Sequence, residues 1–278
     1  MATVQLIPGG WGSFTFLVDG DHILRFARNA DVAAAHHREA ALLPKLADAV
    51  SFRVPEPDFF GSWGEGGTCL GYPLIEGRGL TAADGWRAMA GVLRELHGFP
   101  VDVARSTLGV AGTVDEWRSG YRTLWADVEA RVLPALEDDL AGAIAAEFAA
   151  LLAGDWDFQP VLVHGDMATE HVLVDDAGRV VGLIDFEDAT VGDPAIDFAG
   201  LLPLLDEQRI DQLIADYGRA VDRERLRHYW RLVPVHDLRY GLTNGHHAIT
   251  DAATAEARRR FTLADPARPA VAATDADR

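Results

Sequence analysis

Hydrophobic and polar positions change rhythm twice along this chain. "TVQLI" and then "SFTFLVDGDHILRFA" alternate at close to period two, which predicts strands and a hairpin turned at "DGD". "ADVAAAHHREAALLPKLADAV" switches to helical spacing, with Val32, Ala35, Leu42, Leu43 and Leu46 apolar, and Pro44 is expected to end or kink that helix. Beyond the Pro-rich "RVPEPDFFGSW" lies "TCLGYPLIEG", read as a short strand closed by glycines. Residues 1–76 therefore form a small β-rich unit.

Residues 77–262 read as mainly helical, in "TAADGWRAMAGVLRELHGF", "VDEWRSGYRTLWADVEARVLPAL", "AGAIAAEFAALLA", "DEQRIDQLIADYG" and "RERLRHYWRLVPVHDLRYGLTNGHHA". Three short apolar runs interrupt them: residues 161–163, 172–174 and 180–184. The last two flank "DDAGR", which has the spacing of a hairpin turn. Residues 263–278 lack periodicity and are rich in Pro, Ala and Asp, so a disordered tail is expected.

Composition narrows the function classes. With 49% hydrophobic and 24% charged residues the chain is an ordinary globular one. The single Cys69, read as a packed thiol, excludes an internal disulfide and a cysteine-based zinc cluster. The start "MATVQLIPGG" has no leader pattern and no stretch is long and apolar enough to span a bilayer, so the expected location is the cytoplasm, with no membrane partner. A net charge of −18 argues against a nucleic-acid partner, and suits either a solubilising surface or a cationic substrate. Lys45 is the only lysine, so no mechanism that needs a lysine elsewhere is open to this chain.

The chemistry concentrates in "LVHGDMATEHVLVDDAGRVVGLIDFEDA". Asp166 follows the first short strand, His171 comes five residues later, and Asp185 ends the hairpin. This is the order of the protein-kinase catalytic apparatus: a loop Asp that takes the proton of an attacking hydroxyl, then two groups that hold metal ions against the transferring phosphoryl. In "VGDPAIDF", Asp193 and Pro194 signal a helix start. Asp197, one turn inside that helix, needs donors, which the amides of the nearby loop would supply.

The stretch "HGDMATEHVLVDDAGRVVGLIDFEDATVGDPAIDF" resembles the signature of the aminoglycoside phosphotransferase family, and "GGWGSFTFLVDGDHILRFARNADVAAAHHREAALLPKLA" and "GYPLIEG" are similar to its Gly-rich loop, third strand, Glu-bearing helix and hinge. His171, where most members carry Asn, is most similar to the 2''-aminoglycoside and macrolide phosphotransferase branches. The resemblance implies an α+β, bilobal, protein-kinase-like fold with a small β-rich N-lobe and a larger helical C-lobe. It also implies an antibiotic kinase that confers resistance by moving the γ-phosphoryl of ATP or GTP to a hydroxyl.

By position, the resemblance implies Asp166 as catalytic base, His171 and Asp185 as Mg2+ ligands, and His164 and Asp197 as supports of the loop. Gly9, Gly10, Gly12 and Ser13 would cover the phosphates, Tyr72, Pro73, Leu74 and Ile75 would form the base-binding hinge, and Glu39 would pair with Arg25. Arg25 stands where the family's phosphate-binding lysine is expected; it keeps the charge on a broader, planar fork. Treated as a surface-facing cation, it is expected to be removable with little effect on stability.

For the acceptor side, Glu170, Glu187, Asp188 and Asp193 are candidates to line a cation-binding cleft, and Trp230, His236, Asp237 and Tyr240 to form a pocket wall. The acceptor is expected to be a cationic antibiotic, most simply an aminoglycoside; a macrolide or another small metabolite is the alternative. Two other classes stay open: a noncatalytic nucleotide-binding protein, and a phosphohydrolase using His164, Asp166, His171, His236 and Asp237 for paired metals. The phosphohydrolase leaves the Gly-rich hairpin and the hinge unexplained. Regiochemistry and oligomeric state are not legible at this level.

Overall fold

A computed structural model describes residues 3–8 and 12–262. Gly9 and Gly10, and the segment 263–278, lie outside the described residues. Strands β1 (Val4–Ile7), β2 (Ser13–Val18) and β3 (His22–Ala27) lead into helix α1 (Ala30–Ala47), followed by β4 (Phe59–Trp63) and β5 (Gly67–Pro73). These five strands form one antiparallel sheet in the order β1-β2-β3-β5-β4.

The "DGD" hairpin turn forms as expected: Asp19 and Gly20 both take positive φ, and the Asp21 amide donates to the Val18 carbonyl at 3.2 Å. The prolines had disguised β4, which pairs Phe59 with Gly71 and Trp63 with Gly67. Period two then has a chemical consequence in β3. Because Ile23 and Ala27 face α1 and are buried, Arg25 between them is buried too.

Asn29 caps α1, its side chain accepting from the Val32 amide at 3.0 Å. Pro44 does not end this helix as expected. Leu42, Leu43 and Leu46 are completely buried on either side of it, and that packing outweighs one lost backbone bond in the last turn.

The chain then crosses to the helical lobe through β6 (Arg78–Gly79). There it builds α2 (Met89–Leu96), α3 (Val101–Leu108), α4 (Val114–Arg131) and α5 (Asp138–Ala153). Next come β7 (Val161–Val163), β8 (Val172–Val174), β9 (Val180–Leu183) and β10 (Thr190–Gly192), then α6 (Ala195–Leu201), α7 (Glu207–Tyr217), α8 (Arg223–Asn244) and α9 (His247–Thr262). The run read as one long helix through His247 is broken at Gly245, whose φ of 70° closes α8 and lets α9 turn back along it.

The three apolar runs are strands, and the last two form the expected hairpin, with two further strands paired to the set. β7 pairs with β10, and β8 lies between β9 and β6. The main core fills the helical lobe around Leu93, Phe148, Phe198 and Trp230, and a small cluster of Ile23, Leu70 and Tyr72 lies under the sheet. Cys69 is buried and free, as a packed thiol should be. No helix among the described residues is long and apolar enough to cross a membrane.

Candidate active site

The loop after β7 is held from below. Asp197, fully buried on α6, accepts from the His164 amide at 2.9 Å and the Gly165 amide at 3.0 Å. A third partner is His97, whose Nε2 lies 3.0 Å from Asp197 Oδ2 while its Nδ1 meets the Tyr217 hydroxyl at 2.9 Å. His97 follows α2, a hundred residues from Asp197, and no local pattern marks it. His164 is buried with Nε2 2.9 Å from the Ile184 carbonyl and its ring 4.6 Å from Phe186, tying the loop to the end of the β8–β9 hairpin. Gly165 has φ 86°, and a Cβ there would meet the Asp188 carbonyl oxygen at 2.4 Å.

This frame leaves the Asp166 carboxylate about half exposed. Burial of its surroundings raises its pKa, partly offset by His171 and His164. The Asp166 carbonyl lies 2.9 Å from His171 Nδ1 and can only accept, so Nδ1 carries the hydrogen. His171 Nε2 therefore faces the Asp185 carboxylate, 3.6 Å from Oδ2. Burial lowers the His171 pKa, but Asp185 and the Asp166 carbonyl outweigh it and the net shift is upward.

Asp185 takes φ 68°, a left-handed conformation that costs a non-glycine residue about 1 kcal/mol or more. It is held below the ordinary carboxylate range: its burial acts upward, and Arg25 and His171 overcome it. Arg25 is not surface-facing. It is 5% exposed, its Nη1 donating to both Glu39 oxygens at 2.8 and 2.9 Å, its Nη2 to Asp185 at 3.1 Å and Glu187 at 2.7 Å. Burial nevertheless keeps Glu39 above its usual pKa, and pushes Glu187 up to about 7.

Behind this network, His36 is fully buried on α1 with Nε2 2.9 Å from Ser13 Oγ and Nδ1 2.9 Å from Thr68 Oγ1. The Ser13 hydroxyl thus points inward and is not free to touch a phosphate. Burial first, then Arg25, holds His36 down to about 4. The folded protein refuses a proton that the unfolded chain accepts near its ordinary 6.5, so the stability tied to neutral His36 is complete above that pH and is lost as pH falls toward 4. Chemical denaturation of wild type and His36→Gln across this range is expected to show wild type losing on the order of 3 kcal/mol more than the variant. Parallel curves would refute it.

The segment expected to form the hinge runs from buried Tyr72 through Pro73 and half-buried Leu74 to buried Ile75, with the Leu74 amide donating to the Asp21 carbonyl at 2.7 Å. On the open side, Asp188 and Glu170 are exposed near Asp166, and α8 brings Asp237 toward it; Asp237 is pushed up to about 6, by burial first and then by Asp166. His236 is exposed on the same helix, and Tyr240 stacks on His246 with ring centres 5.7 Å apart.

Two candidates for the acceptor side fall inside the protein instead. Asp193 is fully buried, receiving the Ala195 amide at 3.0 Å, the Tyr229 hydroxyl at 2.9 Å and the Arg225 guanidinium, so its carboxylate braces α6 against α8. Trp230 is 1% exposed, its ring covered by Arg260. Glu187 also turns away from the open cleft, toward Arg25.

Among the described residues no three His, Cys, Asp or Glu side chains converge to hold a metal by themselves. Asp185 offers the hard carboxylate oxygen that Mg2+ prefers, and the His171 imidazole beside it is a weaker ligand for that ion, so substrate phosphates and water would have to complete the shell.

A two-lobed α+β fold with a braced carboxylate loop facing a second acid and a buried cation defines a kinase-like phosphotransferase that acts on a hydroxyl acceptor. The chain belongs to the phosphotransferase enzyme family, whose model matches residues 3–230. It is 26% identical over 227 residues to the uncharacterized protein YcbJ of Bacillus subtilis (strain 168), covering 72% of this chain and 69% of that one. Among solved structures it is similar to the GDP complex of wild-type aminoglycoside 2'-phosphotransferase-IIIa, with a TM-score of 0.81, 25% identity, and 93% and 92% of the two chains covered. The apoenzyme of macrolide 2'-phosphotransferase MphH from Brachybacterium faecium superposes with a TM-score of 0.70 at 25% identity, over 95% and 92% of the chains.

Proposed function

We propose that this protein transfers the γ-phosphoryl group of ATP or GTP to a hydroxyl of a cationic small molecule, most simply an aminoglycoside antibiotic. The observation that carries the reading is the exposed Asp166 carboxylate, fixed by Asp197 through the loop amides and facing Asp185 across His171. Asp166 accepts the proton as the acceptor oxygen bonds to the γ-phosphorus and the bond to the β-phosphate oxygen breaks. Asp185 and His171 would hold Mg2+, which when bound neutralises charge on the phosphates. Arg25 serves the nucleotide phosphates, and the segment Tyr72–Ile75 receives the base.

The acceptor's positive charge is inferred from the acids on the open side. Burial first, and then repulsion from Asp166, raises the pKa of Asp188 and Asp237, and burial raises that of Asp166 itself. A polyamine acceptor relieves that repulsion. Incubation with ATP or GTP and a panel of aminoglycosides, macrolides and peptide antibiotics should give a singly phosphorylated aminoglycoside by mass spectrometry. Product from macrolides alone would move the acceptor class, and no product from any member would remove it.

Asp185→Ala is expected to weaken binding of magnesium nucleotide by tenfold or more, because the metal loses its anionic ligand. Calorimetry showing the same magnesium-dependent affinity in both proteins would end the assignment.

A further inference from the structure

Both terminal nitrogens of Arg25 are already occupied. Nη1 is taken by both oxygens of Glu39, and Nη2 by Asp185 and Glu187. For the guanidinium to meet a nucleotide, one carboxylate must leave, and the three differ in how easily they can. The Glu39 side chain has no exposed surface and spends both oxygens on Arg25. Asp185 has a short side chain set by a left-handed backbone, between Arg25 and His171. Glu187 is longer, 22% exposed, and makes a single bond to Nη2. Its other oxygen reaches Gly12, just before β2: a Cβ there would lie 2.4 Å from Glu187 Oε1. Its carboxylate thus lies between the buried cation and Gly12, an anion placed where an anionic ligand of Arg25 would approach.

We infer that Glu187 is a tethered counter-anion that holds Arg25 in the nucleotide-free enzyme and yields its place to the nucleotide phosphates, so that it sets nucleotide affinity. The inference rests on the proposed role of Arg25. Phosphate and Glu187 compete for the same N–H of Nη2, and each bound nucleotide must displace a charge-assisted hydrogen bond. Glu187 in this role is a positioning residue: it fills the one Nη2 bond of Arg25 that Glu39 and Asp185 leave open.

The test is calorimetric titration of ADP in EDTA, where no metal takes part, into wild type, Glu187→Gln and Glu187→Ala. A residue that only supported the fold would weaken binding when changed. A competing anion does the reverse: both variants are expected to bind metal-free ADP about tenfold more tightly than wild type, the scale of one charge-assisted hydrogen bond no longer broken. Unchanged or weaker affinity in both would overturn the inference. If neither variant folds, Glu187→Asp keeps the charge but withdraws it by one methylene; it is expected to tighten ADP binding a few-fold, and unchanged affinity there overturns the inference equally. Wild type that binds no ADP, with or without magnesium, would instead overturn the nucleotide reading itself.

Discussion

Asp166→Asn is expected to bind nucleotide with nearly the affinity of wild type while turnover falls on the order of 10² to 10⁴-fold. The amide keeps the size of the side chain and cannot take the acceptor's proton. Its carboxylate is about half exposed, and the loop is held through backbone atoms, the His164 and Gly165 amides and the Asp166 carbonyl. Loop geometry and the unfolding midpoint should therefore stay unchanged. Single-turnover measurement with saturating nucleotide and acceptor isolates the chemical step, and a rate within a few-fold of wild type would show that another group takes the proton.

Arg25→Ala should do something quite different, and more than the proposed role toward nucleotide would require. The substitution strands Glu39, buried with both oxygens committed, and removes the cation shared with Asp185 and Glu187. Breaking a buried pair by removing one partner costs about 3 to 5 kcal/mol, so a large fall in denaturation midpoint is expected alongside loss of activity. This reverses the expectation for a surface-facing cation. Arg25→Lys keeps a charge with three donors but not the fork that reaches Glu39 on one side and Asp185 and Glu187 on the other. It should recover about half of the stability and less of the activity. An Arg25→Ala protein as stable as wild type would mean that the cluster contributes nothing net to folding.

The parts of the site that were legible in sequence are those attached to short buried strands. Apolar triplets at 161–163 and 172–174 announce themselves, and the distance from Asp166 to His171 to Asp185 then follows the chain. Hydrogen-bond partners far apart in sequence were not legible. Nothing local distinguishes His97 from a surface histidine, or shows that His36 turns the Ser13 hydroxyl inward. Asp193 beside a helix start looks available until α8 supplies Arg225 and Tyr229. β4 and β10 were missed for another reason: one is hidden by prolines, and the other is three residues long with too little pattern to detect.

The lone lysine has a practical reach beyond the fold. Lys45 sits exposed at the end of α1, its ammonium 2.7 Å from the Thr107 hydroxyl. No lysine amine is therefore present where a kinase-like enzyme ordinarily offers one to acylating nucleotide probes. Profiling reagents of that kind should label Lys45 or pass over this enzyme, whereas guanidine-directed dicarbonyls, slow against a buried Arg25, would be the chemistry able to report on its occupancy.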